Sequence, residues 1–297
     1  MAFLSPAEPL AVLTGALVDD AGLFPPEELD MASAVARHRR DRVAGSPVLT
    51  HRFVCPVARL GELRALLRDG EVMHVIALGP ANADTEQRLA AIRQEGRLRV
   101  AALETRLPAS AEEHATSLDV VDSIARSFPG LAVFVEIGTG PEREQALDLL
   151  AGRALMAKVR CGGVRPELFP AAADLGRFIL AAAGRGLAFK ATAGLHHAVG
   201  YRDGATGLEH FGFLNVLIAV ADAQAGLDAG QLEDTLNSRD ARAVAGRAAA
   251  LDTAAATAVR AAFRSFGSCS TSEPLEDLAA LGLIPSPRTQ PVEGTPA

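Results

Sequence analysis

Short apolar runs rich in Val, Ile, Leu and Ala alternate along this chain with longer stretches in which apolar residues recur every three to four positions. A short continuous apolar run reads as a buried strand, and the longer period reads as an amphipathic helix. The alternation predicts strands at 14–19, 48–54, 72–78, 98–103, 131–137, 155–159 and 187–192. Each is followed by a predicted helix, at 27–43 after a Pro-Pro turn, then 57–68, 85–95, 111–127, 142–151, from after Pro166 to Gly184, and 208–223. Apolar strands joined by helical crossovers form a parallel sheet covered on both faces. Seven such units in series, with no second kind of pattern, favour closure into a barrel over an open sheet.

Residues 224–262 are Ala-rich and helical, which places the eighth strand at 263–267 and a closing helix at 274–281. The expected fold is therefore α/β, a single (β/α)8 TIM-type barrel over residues 1–284 with a helical insertion before the last strand. Residues 285–297, rich in Pro and Thr, read as a disordered tail.

Composition agrees with this picture and narrows the partners. The 297 residues suit one α/β barrel, and 49% hydrophobic with 22% charged residues lies in the globular range. The net charge of −7 argues against nucleic acid, whose phosphates call for a basic face. The N-terminal stretch has no basic n-region and is interrupted by Pro6 and Pro9, a poor signal peptide. No run approaches the roughly 18 apolar residues of a membrane helix. The longest apolar helix candidate, 211–223, contains Asn215 and Asp222. Cys55, Cys161 and Cys269 are odd in number and lack metal-type spacing, so they read as small reduced thiols in a cytoplasmic protein. A homo-oligomer is compatible with all of this.

The charge balance contains one anomaly. There are 27 arginines and only two lysines, Lys158 and Lys190, and both lie in strand-like segments. Arginine can replace lysine as a surface charge but not as an amine that is deprotonated and attacks a carbonyl. A coding bias toward arginine accounts for the scarcity but not for the two survivors. The plainer alternative is that both bind a phosphate or a carboxylate.

Barrel enzymes assemble their sites at the C-terminal ends of the strands. Polar residues there are Asp19 and Asp20 on strand one, His51 and Arg52 on strand two, and Glu104 and Arg106 on strand four. Strand five ends in Glu136, and strand six carries Lys158 and Arg160 followed by Gly162 and Gly163. Strand seven carries Lys190 and Thr192 before Gly194, His196 and His197, and the last segment contains Gly267 and Ser268. Side chains alternate along a strand, so Lys158 and Arg160 share a face, as do Lys190 and Thr192. Buried charges must be paired, so Glu136, Lys158 and Lys190 are expected to cluster. Two close ammonium groups, together with burial, would lower each other's pKa and hold an amine neutral for Schiff-base attack. Glu136 or Glu104 would then move protons. The plain reading of the same residues is a buried Glu–Lys salt bridge.

The arrangement of these segments resembles class I aldolases of the deoxyribose-phosphate aldolase type. The match rests on Lys158-Val-Arg-Cys-Gly-Gly163, on Lys190-Ala-Thr-Ala-Gly194 one βα unit later, and on Phe266-Gly-Ser-Cys-Ser270. Arg160 and Cys161 stand where that family has small hydroxyl residues, His196-His197 is foreign to it, and the gap before the last strand is long. The resemblance implies Lys158 as the Schiff-base nucleophile and Lys190 as the group that tunes it. It implies phosphate contacts from the backbone near Gly162, Gly163, Gly194, Gly267 and Ser268, and it calls for no cofactor.

Glycine-rich turns of this kind can form an anion nest, although glycine is also ordinary loop punctuation. Arg160 offers a bidentate fork to a substrate carboxylate or phosphate, or else pairs with Glu136. Asp20, Arg52, His196 and His197 complete the candidate substrate contacts, with structural histidines as the alternative. Asp19 and Asp20 read equally as hydroxyl or Mg²⁺ ligands and as a capping turn. The leading expectation is a lyase acting on a small anionic carbonyl compound. The competing readings are a metal-assisted isomerase or lyase using His196, His197 or Asp20, and a non-catalytic barrel that binds an anionic metabolite.

Overall fold

In the computed structural model the described residues are 8–138 and 140–286. Residues 1–7, Thr139 and nearly all of the predicted tail lie outside them.

Eight parallel strands close into a barrel in the order β1-β10-β7-β6-β5-β4-β3-β2. The barrel strands are β1 (Val18–Asp20), β2 (Leu49–Pro56), β3 (Met73–Leu78), β4 (Leu98–Arg106), β5 (Ala132–Glu136), β6 (Met156–Arg160), β7 (Phe189–Thr192) and β10 (Phe263–Ser268). The remaining pair, β8 (Tyr201–Arg202) and β9 (Glu209–His210), forms a small antiparallel hairpin in the connection after β7. No helix among the described residues is long and apolar enough to cross a membrane.

Alternation along the strands divides the side chains between two apolar groups. The larger group packs outward against the helices, with Phe189 meeting Phe178 and Phe263 edge to face. A separate small cluster of Val54, Ile76, Ala102 and Phe134 comes from alternate positions of β2 to β5 and fills the barrel interior. Two residues further along β4 and β5 the same inward face carries Glu104 and Glu136, so an apolar layer underlies a charged one.

Two elements differ from the sequence-based expectation. The segment before β1 is a helix, Glu8–Thr14, and the strand begins only at Val18. Pro9 falls in its first turn, where no backbone donor is lost, and Thr14 Oγ1 donates to Leu10 O at 2.8 Å. This helix is held by packing against Thr253–Ala262, a contact that local periodicity does not reveal. The helix expected over 208–223 starts at Phe213, because Glu209 and His210 pair with the strand opposite and Gly212 sits at the N-cap. A Cβ on Gly212 would lie 2.4 Å from Ala198 O, so the chain crosses here at glycine distance.

The inserted region consists of the helices Ala229–Asn237, Ala241–Ala249 and Thr253–Ala262. Each starts on an aspartate, Asp228, Asp240 and Asp252, whose carboxylate accepts the backbone N–H three residues on. The insertion covers Phe213–Gln224, which explains why that helix is apolar nearly all round. Its buried Asn215 is satisfied by donating to Thr235 O and Ser238 O and accepting from Gly200 N.

Candidate active site

Parallel registration brings the charged residues of neighbouring strands side by side. Glu136 is the partner of Lys158, and Lys158 is the partner of Lys190. Barrel closure then adds Asp19 from β1 and Glu104 from across the interior. Lys158 Nζ lies 2.8 Å from Glu104 Oε2 and 3.0 Å from Glu136 Oε2. Lys190 Nζ lies 2.5 Å from Glu104 Oε1 and 2.7 Å from Asp19 Oδ2, and 5.4 Å from the centre of the Phe134 ring. Both lysine side chains are almost fully buried, at 2% and 1% exposure.

The cluster extends outward through arginines and hydroxyls. Asp19 accepts from Thr50 Oγ1, Ser265 Oγ and Arg52 Nε, the last at 2.9 Å. Arg160 Nε meets Glu136 Oε1 at 3.0 Å, and Arg106 reaches the same oxygen at 3.2 Å. Three carboxylates against two lysines and three arginines leave the group net positive, as suits an anionic ligand.

Burial would raise the carboxylic acids, but the cations beside them prevail. Asp19 is lowered to about 2 by Lys190 and Arg52 against that burial, and Glu104 to about 2 by Lys158 and Lys190. Glu136 is lowered in the same way by Lys158 and Arg160. The expectation that the two ammonium groups lower each other's pKa is not met at Lys190. Burial works to lower its pKa, but Asp19 and Glu104 outweigh burial and raise it. Lys190 is a fixed ammonium.

The two lysines differ in access. A cavity of about 250 Å³ opens at the C-terminal end of the barrel, and Lys158 lines it together with Glu104, Glu136, Arg160 and Thr192. Lys190 is not among its walls and sits below, toward Asp19 and Ser265. Phe24, Val54, Leu78 and Leu168 supply the apolar part of the wall, with Gly163, Gly267 and His196 beside them.

Other candidate contacts are placed elsewhere. Asp20 is engaged by Arg37 at 2.5 Å, His38 Nδ1 at 2.9 Å and Gly22 N, behind β1 rather than in the cavity. Arg52 serves Asp19 and Ser265. His197 pairs with Asp277 at 3.1 Å. Gly162 and Gly194 have a packing reason: a Cβ on Gly162 would fall 2.7 Å from Gly194 Cα, and one on Gly194, at φ +75°, 2.5 Å from Cys161 O. The loops after β6 and β7 touch backbone to backbone there. Ser268 Oγ is buried without a hydrogen-bond partner. Cys55 and Cys161 are buried free thiols pushed up to about 12 by burial.

Among the described residues no group of three or more His, Cys, Asp or Glu is arranged to hold a metal ion. His196, His197 and Asp20, weighed as metal ligands from sequence, do not converge. Sequence reasoning missed the roles of Ser265 and Thr50 in holding Asp19. Ser265 lies two positions before Gly267, and that spacing puts it on the inward face.

No protein-family model matches the chain, and no curated protein matches it. Among solved structures, "QR15, an Aldolase" is similar at 13% identity and a TM-score of 0.46, with 71% of this chain and 87% of that chain covered.

Proposed function

We propose that this chain is an aldolase-like lyase that binds a small anionic carbonyl compound as a Schiff base on Lys158. The observation that carries the reading is that Lys158 alone of the two lysines faces the cavity, and it does so between two carboxylates. A buried lysine with acid/base partners at hydrogen-bond distance is the arrangement carbinolamine chemistry requires.

In this reading Glu136 or Glu104 takes one proton from the Lys158 ammonium. The free amine attacks the carbonyl carbon, forming the N–C bond and breaking the C=O π bond; the nitrogen passes a second proton to the oxygen, and the carboxylic acid returns the first, so that the carbinolamine oxygen leaves as water. The resulting iminium draws in the electron pair of the bond between its α-carbon and the hydroxyl-bearing β-carbon. As that bond breaks, the leaving half becomes a carbonyl, its hydroxyl proton passes to the carboxylate, and the enamine left on Lys158 is protonated and released by water.

Lys190 takes no proton in this scheme. Its ammonium occupies one oxygen of Glu104 and so positions the other oxygen of that carboxylate beside Lys158. Arg160 would receive the anionic group. A cavity of about 250 Å³ suits a metabolite rather than a larger ligand.

Borohydride reduction in the presence of small 2-oxo acids, ketones and aldehydes, followed by intact-mass spectrometry, tests this. The expected result is one adduct whose peptide contains Lys158, absent in Lys158→Ala and in Lys158→Arg. An adduct that persists in Lys158→Ala, or no adduct with any carbonyl compound, overturns the reading.

A further inference from the structure

The Lys158 cavity has a neighbour. A second cavity of about 350 Å³ shares Pro25, Gly163, Val164, Ala193 and His196 with it, so His196 stands in the wall between the two. Its far side is built by the β8–β9 hairpin. Tyr201 stacks on His210 across the hairpin, with ring centres 4.6 Å apart and planes 18° from parallel.

The chemistry of this chamber differs from that around Lys158. Among the described residues no lysine or arginine lines it, whereas Asp203 and Glu273 do. Asp203 accepts from Ala205 N at 2.7 Å and Thr206 N at 2.9 Å, which holds its carboxyl below the usual range. Burial pushes His196 and His210 down, toward the neutral imidazole. Two buried polar atoms on its walls have no hydrogen-bond partner, Glu273 Oε2 and His210 Nδ1. Glu273 Oε2 has His196 Nδ1 at 3.4 Å as its neighbour.

We propose that this second chamber is the subsite for a neutral, hydroxylated carbon chain carried by the carbonyl compound that reacts at Lys158. The assignment rests on the reading of Lys158 as the reacting amine. A hydroxyl both donates and accepts, so it can serve the Glu273 carboxylate oxygen and the His210 imidazole nitrogen alike. A phosphate would meet Asp203 and Glu273 with no cation to offset them. The substrate so described has its anionic group at the reacting end, near Arg160, and its hydroxyls at the other. The shared wall makes His196 the residue that both ends touch.

The test uses the full chain, as wild type and as Lys158→Ala, titrated with erythritol and with erythritol monophosphate. The readout is the imidazole nitrogen signals of His196 and His210 by NMR. Erythritol is expected to shift both signals in both proteins, and the phosphate ester to bind at least about tenfold more weakly. Thr206→Phe, on an exposed turn of the chamber wall, is expected to remove the shifts while the circular dichroism stays unchanged. The proposal is overturned if erythritol shifts neither signal, if the phosphate ester binds more tightly, or if Thr206→Phe leaves the shifts intact. Because Lys158→Ala cannot form a Schiff base, failure of the subsite and failure of the Lys158 reading register in separate experiments.

Discussion

Lys158 and Lys190 are direct register partners on adjacent strands, and they share a single carboxylate, with one oxygen of Glu104 on each ammonium. Glu104 therefore couples the lysine that faces the cavity to the one beneath it. Glu104→Gln leaves Lys190 with Asp19 and Lys158 with Glu136, and removes half of the compensation each buried cation has. A loss of about 3 kcal/mol in unfolding free energy is expected, together with slower borohydride trapping at Lys158. Urea unfolding and the trapping rate, measured on the same protein, check the two effects.

The lysines themselves should separate stability from reactivity. Lys190→Met leaves Asp19, fully buried, and Glu104 without their shared cation, so a cost of roughly 3–5 kcal/mol is expected. Lys158→Met should cost less, because water in the cavity can solvate Glu136 and Glu104 from one side. If Lys158→Met proved the more destabilising of the two in chemical denaturation, the assignment of the cavity-facing role would be wrong.

Stability should fall steeply in acid. Asp19 and Glu104 titrate near 2 in the folded protein, against ordinary values of 3.8 and 4.5. Below about 4.5 the unfolded chain binds protons that the folded chain does not, so stability declines as the pH drops toward 2 and is flat above that window. Lys190 contributes at the opposite end. Its raised pKa means that its stabilisation is complete below 10.5 and is lost as the pH rises through its folded value. Thermal melts across the pH range should show an acid limb carried by these carboxylates and an alkaline limb to which Lys190 and the buried thiols of Cys55 and Cys161 contribute. In Lys190→Met the acid limb should be shallower, since Asp19 loses the cation chiefly responsible for its depression.

Glycine substitutions should give opposite signs according to position. Gly194→Ala places a methyl 2.5 Å from Cys161 O at φ +75°, and a loss of about 2 kcal/mol or more is expected, with the wall of the second chamber displaced. Gly246→Ala lies within Ala241–Ala249 with nothing within 4 Å of the new methyl, and should stabilise by about 0.5–1 kcal/mol. Differential scanning calorimetry of the two variants checks both.

Much of this architecture was legible because barrel strands are buried on both faces and so read as unbroken apolar runs. Strand β3, expected at 72–78, runs over Met73–Leu78, and the last strand, expected at 263–267, over Phe263–Ser268. The cluster of Glu136, Lys158 and Lys190 followed from alternation and parallel register. The role of Asp19 did not. Its partners come from β2, β7 and β10, and only closure of the barrel brings them to it. Gly162 and Gly194 show a different limit. A sequence marks where glycine stands, but not whether it makes room for a ligand or for another loop. The hairpin that walls the second chamber rests on two strands of two residues each, too short for any periodicity to register.

The placement of both lysines inside the barrel has a practical side. Arginine supplies every other basic side chain, so the folded surface carries no lysine amine at all. Acylating reagents, amine cross-linkers and aldehyde fixatives have no lysine to modify until they enter the cavity. Native-state acylation of a lysine in this protein therefore reports passage through the mouth of the barrel to Lys158, and its rate measures how open that mouth is without any knowledge of the substrate.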